Sequence, residues 1–139
     1  MAFVIKDPPE FTTDIEQWTR ETLADGVEMA KVPEALLNND VYLRQGIERA
    51  AGSRSVALPA SGWSGTAPYT QTVSVAGVTA EDAPVIGILI AEGTTAANVK
   101  LQNKAWACVD RAVTGAGTIT FYCYNKKPGN DFTVNVKGV

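Results

Sequence analysis

The chain has 139 residues, of which 45% are hydrophobic and 19% are charged, and it carries a formal net charge of −3. That length and composition are typical of a globular protein with one sizeable core and argue against a disordered chain. Histidine is absent, which excludes Ser-His-Asp and Cys-His nucleophiles and every histidine-ligated metal site.

The charge is unevenly distributed along the chain. Residues 1–50 carry ten acidic and five basic side chains, whereas residues 51–139 carry five acidic and seven basic ones. The adjacent basic pair Lys126-Lys127 falls far short of the clustered basic residues that bind nucleic acids. No apolar run approaches the ~18 residues of a membrane span, and the N-terminus lacks the pattern of a signal peptide. We therefore expect a protein made in a cytoplasm, with no nucleic-acid partner and no insertion into a membrane.

Two helices are predicted in the acidic N-terminal part. Thr13 and Glu16 have the spacing of a capping box, which predicts a first helix that ends at Asp25-Gly26. A second helix is predicted from Val32-Pro33, with the proline in its first turn, to Gly52 just beyond its end. Spacings of seven, four and three place four apolar residues on one face of this helix: Leu36, Leu43, Ile47 and Ala50. Over only about two heptads, this face fits either packing on the chain's own domain or pairing with other subunits.

The next passage, GSRSVALPASGWSGTAP at 52–68, consists mainly of small residues and contains two prolines, so it is typical of a linker. We therefore predict an N-terminal helical assembly segment at 1–52 and a β-rich domain at 53–139. Trp63 and Tyr69 lie in or beside the linker, where an aromatic ring either closes one end of the sheet or stacks on a sugar or partner. Trp18 and Trp106 are assigned to the core or to subunit contacts.

Beyond the linker the pattern changes to that of strands. Residues 69–76 alternate as in a half-buried strand, and the apolar run 83–93 is typical of a strand buried on both faces. A short helix is predicted at 94–107, then a hairpin of strands at 108–114 and 118–125, and a last strand in which Phe132, Val134 and Val136 alternate with polar residues. The predicted fold class is α+β, with N-terminal helices followed by a mostly antiparallel, β-sandwich-like domain.

Few residues in this chain point to catalysis or metal binding. Glu81-Asp82 is an adjacent carboxylate pair, but its surroundings predict an exposed turn, which does not raise a carboxyl pKa for acid-base work. Cys108 and Cys123 match neither a zinc spacing nor a disulfide scaffold. One hairpin register would place them opposite each other and a one-residue slip would separate them, and in both cases we expect reduced thiols. We therefore predict no catalytic residue, no metal site and no cofactor.

Residues 61–139 resemble the C-terminal domain of small tail fibre or baseplate-accessory proteins from prophages of Gram-positive bacteria. The pattern W-x-x-x-x-PY-x-x-x-V-x-V-x-G-V-x-x-x-D-x-P is matched by Trp63, Pro68, Tyr69, Val73, Val75, Gly77, Val78, Asp82 and Pro84. A later tryptophan before R-A-x-T-x-x-G-x-I-T-F is matched by Trp106, Arg111, Ala112, Thr114, Gly117, Ile119, Thr120 and Phe121. The closing KPGNDFTVNVKGV is similar to the K-P-x-x-D ending of such proteins, and the N-terminal part is a looser likeness to their leading segments.

The resemblance implies a non-enzymatic structural protein of the virion tail, often a homotrimer, that contributes to a fibre, a baseplate or a host-surface contact. Its expected partners are copies of itself, other phage tail proteins and host-surface polysaccharide. We expect the oligomer interface at Leu36, Leu43, Ile47 and Ala50. The alternative hypothesis is a carbohydrate-binding module that recognises host cell-surface glycans through Trp63 and Tyr69.

Overall fold

The computed structural model describes residues 2–139, apart from the side chain of Leu23, and has the predicted α+β class. Its α-helices are α1 (Gly26–Ala51) and α2 (Ala96–Trp106). Its strands are β1 (Ser53–Leu58), β2 (Tyr69–Ser74), β3 (Val85–Ile88), β4 (Arg111–Gly115), β5 (Thr118–Cys123) and β6 (Phe132–Lys137). The chain divides into two compact units at 1–49 and 50–139, here called the N-terminal unit and the β unit.

The prediction of a first helix, ending at Asp25-Gly26, is wrong. Residues 11–19 form irregular backbone, and only a single 3-10 turn at Thr22–Ala24 precedes α1. A helix of that length is marginal in water unless an amphipathic face packs against the protein, and Trp18, which was assigned to a core or subunit contact, is 50% exposed. The capping-box spacing of Thr13 and Glu16 was therefore insufficient to form a helix.

Helix α1 begins earlier than predicted and ends where predicted. The Asp25 carboxylate accepts hydrogen bonds from the backbone N–H groups of Val27 and Glu28, at 2.8 and 3.4 Å, and so caps the N-terminus. Pro33 lies inside the helix. The prediction that it lies in the first turn was wrong. Gly52 follows the last helical residue, Ala51, as predicted.

The β unit contains two three-stranded antiparallel sheets with the strand orders β1-β6-β3 and β2-β5-β4. Strand β6 lies at the centre of the first sheet, and its Phe132, Val134 and Val136 are buried as their alternation predicts. Together with Ile119 and Phe121 of β5 they belong to one hydrophobic core. The helix predicted at 94–107 is confirmed as α2 in the β unit, and the Thr95 hydroxyl caps it by accepting from the Asn98 N–H.

Two strands differ from the sequence prediction. The passage at 52–68 is not simply a linker, because it contains β1, whose Val56 and Leu58 enter the core. Strand β3 was expected to be buried on both faces, yet it lies at a sheet edge, and its Val85 is 73% exposed. A continuous apolar run therefore did not distinguish an edge strand from a central one.

The hairpin is shorter than predicted, and its pairing decides the register that the sequence left open. Its pairing runs from Arg111 opposite Tyr122 to Gly115 opposite Thr118, so the turn consists of Ala116 and Gly117. Gly117 has a φ of +69°, a value that favours glycine. The register that would pair Cys108 with Cys123 is not formed, since β4 begins only at Arg111 and Cys108 lies before it.

Candidate assembly surface and sheet face

The N-terminal unit is built by packing an irregular segment, residues 2–12, which bends at Asp7-Pro8, against α1. We call this the leading segment. The side-chain amide of Asn38 donates to the Val4 carbonyl at 3.0 Å and accepts from the Lys6 N–H at 2.8 Å. Asn39 forms the corresponding pair with one residue, accepting from the Thr12 N–H at 2.7 Å and donating to the Thr12 carbonyl at 2.8 Å. The two asparagines thus bind the segment through its backbone alone.

Both asparagines are buried, Asn38 to 4% exposure and Asn39 to 9%. A buried amide without partners would be costly, and here the leading segment satisfies the oxygen and the nitrogen of each side chain. In the sequence Asn39 is visible only as an interruption of the apolar stripe. No sequence signal showed that this interruption binds the chain's own backbone, since its partner, Thr12, lies 27 residues away.

Large apolar side chains of the N-terminal unit are exposed. Ten of those described are at least 45% accessible, namely Phe3, Val4, Ile5, Phe11, Trp18, Val27, Leu36, Tyr42, Leu43 and Ile47. Phe11 and Tyr42 contact each other, with ring centroids 5.6 Å apart, but remain exposed. Exposed apolar side chains that form a contiguous patch are characteristic of interfaces.

The predicted interface residues share one face of α1, as expected, and that face is open. Leu36 and Leu43 are each 50% exposed and Ile47 is 69% exposed, while Ala50 is also exposed. We call these four residues the α1 seam. Every residue from Tyr42 to Ala50 is exposed, so this half of the helix contributes no buried side chain. The leading segment borders the seam, because Asn39 lies only ~60° around the helix from Leu36.

A second open surface in this unit lies between the leading segment and the start of α1. It is a groove of about 620 Å³, lined mainly by the apolar groups of Phe3, Val4, Val27 and Ala30. Charged groups at its border include Lys31, whose ammonium lies 2.6 Å from the Glu28 carboxylate. That hydrogen bond raises the pKa of Lys31 above its ordinary value.

The structure places the two predicted ligand-binding aromatics differently. Trp63 is 5% exposed and belongs to the core of the β unit, so neither face of its ring is free to stack on a sugar. Tyr69 is half-buried against the same core, and the Lys127 ammonium lies 5.8 Å from its ring centroid. Trp106 also packs on the core, with its ring 6.1 Å from that of Phe132.

The exposed aromatic residue of the β unit is Tyr124, just after β5, and beside it lies the half-buried Tyr122 of β5. The rings of Tyr122 and Tyr124 stack with centroids 6.4 Å apart and planes 17° from parallel. The Arg111 guanidinium lies 5.3 Å from the Tyr122 ring centroid, and its Nη1 is 3.4 Å from the Tyr124 hydroxyl. Phe121 and Cys123 point into the core, so the tyrosines that alternate with them point away from it. The sequence signal for this arrangement is the alternation in FYCY.

Beside the tyrosines, this outward side of the second sheet carries several hydroxyl groups, together with Val113 of β4 next to Thr120. The cross-strand register places Thr70 beside Tyr122, Thr72 beside Thr120, and Ser74 beside Thr118. The hydroxyls of Thr72 and Thr120 are 2.8 Å apart. We call this surface, with Tyr122, Tyr124 and Arg111, the hydroxyl-tyrosine face. It combines flat aromatic rings with many hydrogen-bonding groups.

The carboxylate pair and the two cysteines, which were considered for catalysis and metal binding, have ordinary structural surroundings. The Asp82 carboxylate accepts a 2.7 Å hydrogen bond from the Thr79 N–H in the turn before β3, and Glu81 is exposed. Cys108 and Cys123 are free thiols, and burial, followed by the charges of Cys108 and Asp110, raises the pKa of Cys123 to about 12. Cys123 is therefore a protonated, unreactive thiol at neutral pH.

Over residues 2–139, the side chains of His, Cys, Asp and Glu form no group of three that could hold a metal ion. Within the same described part of the chain, neither helix is long and apolar enough to cross a bilayer. No protein-family model, curated protein or solved structure matches this chain.

Proposed function

We propose that this chain is a non-enzymatic structural protein of a phage tail, which assembles into a homo-oligomer through its N-terminal unit and contributes to a fibre, a baseplate or a host contact. The observation that carries the assembly is the exposed apolar surface of that unit, with the α1 seam at its centre. The phage tail and the number of three subunits come from the resemblance of residues 61–139 to tail proteins.

The free energy gained by burying the α1 seam is too small for the seam alone to join the subunits. Full burial of a leucine or isoleucine side chain contributes about 1.5–3 kcal/mol. Leu36, Leu43 and Ile47 are half exposed or more, so the seam supplies only roughly 3–5 kcal/mol per helix. Association alone costs about 4–15 kcal/mol. An interface of useful affinity therefore also has to bury apolar side chains of the leading segment.

Light scattering on the full-length protein tests the assembly directly. We expect a homo-oligomer, with three subunits, at tens of micromolar. A monomer at that concentration would contradict the proposal. Electron microscopy of phage particles, with an antibody against the β unit, then tests the place in the tail, and label found only on free protein would contradict it.

Carbohydrate binding is a second candidate function, and the hydroxyl-tyrosine face supports it. Aromatic rings stack on the apolar faces of sugars, while hydroxyl and guanidinium groups bind sugar hydroxyls. The candidate residues are therefore Tyr122, Tyr124 and Arg111, since Trp63 has no free ring face.

The test is binding to a glycan array or to isolated cell walls. Tyr124→Ala should abolish binding and leave the oligomer and the melting temperature intact, because this side chain is 48% exposed. Leu101→Ala, an exposed change on α2, is the matched control. If wild-type protein binds no glycan, or if Tyr124→Ala binds as well as wild type, this second function is wrong.

A further inference from the structure

The leading segment is bound to α1 in a way that any copy of the chain can reproduce. The four hydrogen bonds from Asn38 and Asn39 all involve backbone groups of Val4, Lys6 and Thr12. They depend on the backbone path of the segment and not on which subunit supplies it. The same bonds form if the segment comes from a neighbouring subunit.

The chain between the segment and the helix is long enough for such an exchange. Thirteen residues, 13–25, connect Thr12 to the first residue of α1, and a connection of that length can span about 40 Å when extended. Two packed helices lie only about 8–10 Å apart. A leading segment can therefore reach the asparagines of a neighbouring α1.

The intrachain arrangement leaves apolar surface that a neighbouring subunit can cover. On its own α1 the segment leaves Phe3, Val4, Ile5 and Phe11 between 47% and 68% exposed. The α1 seam beside it is open as well. A segment that bridges two helices would bury both surfaces together, which gives the additional apolar area that the seam lacks.

We propose that the leading segment is exchanged between subunits, so that residues 2–12 of one copy bind Asn38 and Asn39 of the next. The proposal rests on the proposed homo-oligomer and states how its subunits are joined. Exchange of identical elements is a low-cost route to an oligomer, since the contacts already exist within one chain.

Thiol cross-linking distinguishes the two arrangements. Phe11 and Tyr42 contact each other, so Phe11→Cys and Tyr42→Cys in one chain, with Cys108→Ala, places one thiol on each side of the contact. Cys123 stays in place because it is fully buried and burial raises the pKa of its thiol to about 12. A short bismaleimide is added to the oligomer, and the products are separated on a denaturing gel.

Exchange predicts covalently linked oligomers as the main product, whereas an intrachain segment gives only bridged monomers. Glu48→Cys in place of Tyr42→Cys is the control, since Glu48 is exposed on the same helix and pairs with Arg44. Adding Asn39→Ala should reduce the interchain product several-fold, because it removes both bonds to Thr12.

A second pair of positions guards against a variant that fails to fold. Val4→Cys with Glu34→Cys joins the other end of the segment, where the Val4 N–H lies 3.1 Å from the Glu34 carboxylate. If light scattering shows an oligomer and both pairs form only intrachain bridges, exchange is wrong and the homo-oligomer stands. If the wild-type protein is a monomer, the homo-oligomer and the exchange are both wrong.

Discussion

The two units of this chain place apolar and polar side chains in opposite ways. In the β unit, the buried core contains thirteen hydrophobic residues, and the second sheet presents hydroxyls outward. In the N-terminal unit, the buried side chains among those described are Asn38 and Asn39, while ten large apolar side chains are exposed. The first pattern is that of a domain folded on its own core. The second is that of a surface completed by another chain.

Separating the units is the strongest test of this contrast. A fragment of residues 52–139 should melt cooperatively, because it retains every strand and the whole core. Residues 1–51 should be largely unfolded at low concentration and become helical only as they associate. Circular dichroism and thermal melts over a range of concentrations measure both.

The position of the cut matters for that experiment. A fragment beginning at residue 55 would remove Ser53 and Arg54, which pair with Lys137 and Val136, so Gly52 is the better boundary. A helical monomer from residues 1–51, or a β fragment that melts without cooperativity, would contradict the division.

A core truncation sharpens the contrast from the side of the β unit. Phe121 is fully buried, and replacing such a residue with alanine costs about 3–5 kcal/mol. For a domain of this size that corresponds to a fall of roughly 12–40 °C in melting temperature. The oligomer should persist at temperatures where the variant β unit is still folded.

Thr120→Ala is the matched control for Phe121→Ala. Thr120 is the preceding residue on β5 and points outward, where its hydroxyl contacts that of Thr72. Its melting temperature should change by only a few degrees. Equal effects of the two substitutions in calorimetry would show that the assigned faces of β5 are wrong.

The parts of this fold that the sequence predicted are those set by local patterns. Alternation predicted β6, and the Thr95 capping position and Ala-rich composition agree with α2. Strand β1 was missed because Val56 and Leu58 are its only buried residues and lie among small residues and prolines. The edge position of β3 depends on pairing with β6, which is distant in sequence.

The candidate sites were only partly predictable, for a related reason. The α1 seam follows from helical periodicity, and its four residues do share an exposed face. The burial of Trp63 depends on core residues contributed by the three strands β1, β5 and β6, and the role of Asn39 depends on the path of a segment 27 residues earlier. Both require long-range contacts that spacing alone does not show.

Adding charge to the seam tests whether the apolar face of α1 joins subunits. Leu43→Glu would bury a carboxylate in each subunit of an oligomer, at a cost of several kcal/mol. The concentration at half-dissociation should rise at least about a hundredfold, since each 1.4 kcal/mol is a factor of ten. Sedimentation velocity measures that change.

Gln45→Glu is the control for Leu43→Glu. It adds the same charge to the same exposed half of α1, on the side of the helix opposite Leu36. Dissociation by both variants to the same degree would mean that net charge, and not the seam, controls assembly.

The smallest effect is expected at the two cysteines, which report on the β unit without altering it. Cys108 is partly exposed and Cys123 is buried in the core. Burial, with smaller contributions from the charges of Cys108 and Asp110, raises the pKa of Cys123 to about 12 from an ordinary value of 9.0. The folded state therefore keeps this proton at a pH where the unfolded state has released it. The resulting contribution to the stability of the β unit is complete below about pH 9 and is lost as the pH rises toward 12.

Intact-mass analysis after alkylation at pH 8 should show one label on the native protein and two after denaturation. Two rapid labels on the native protein would show that Cys123 is not in a closed core, and a disulfide in freshly isolated protein would contradict the reduced state of both thiols.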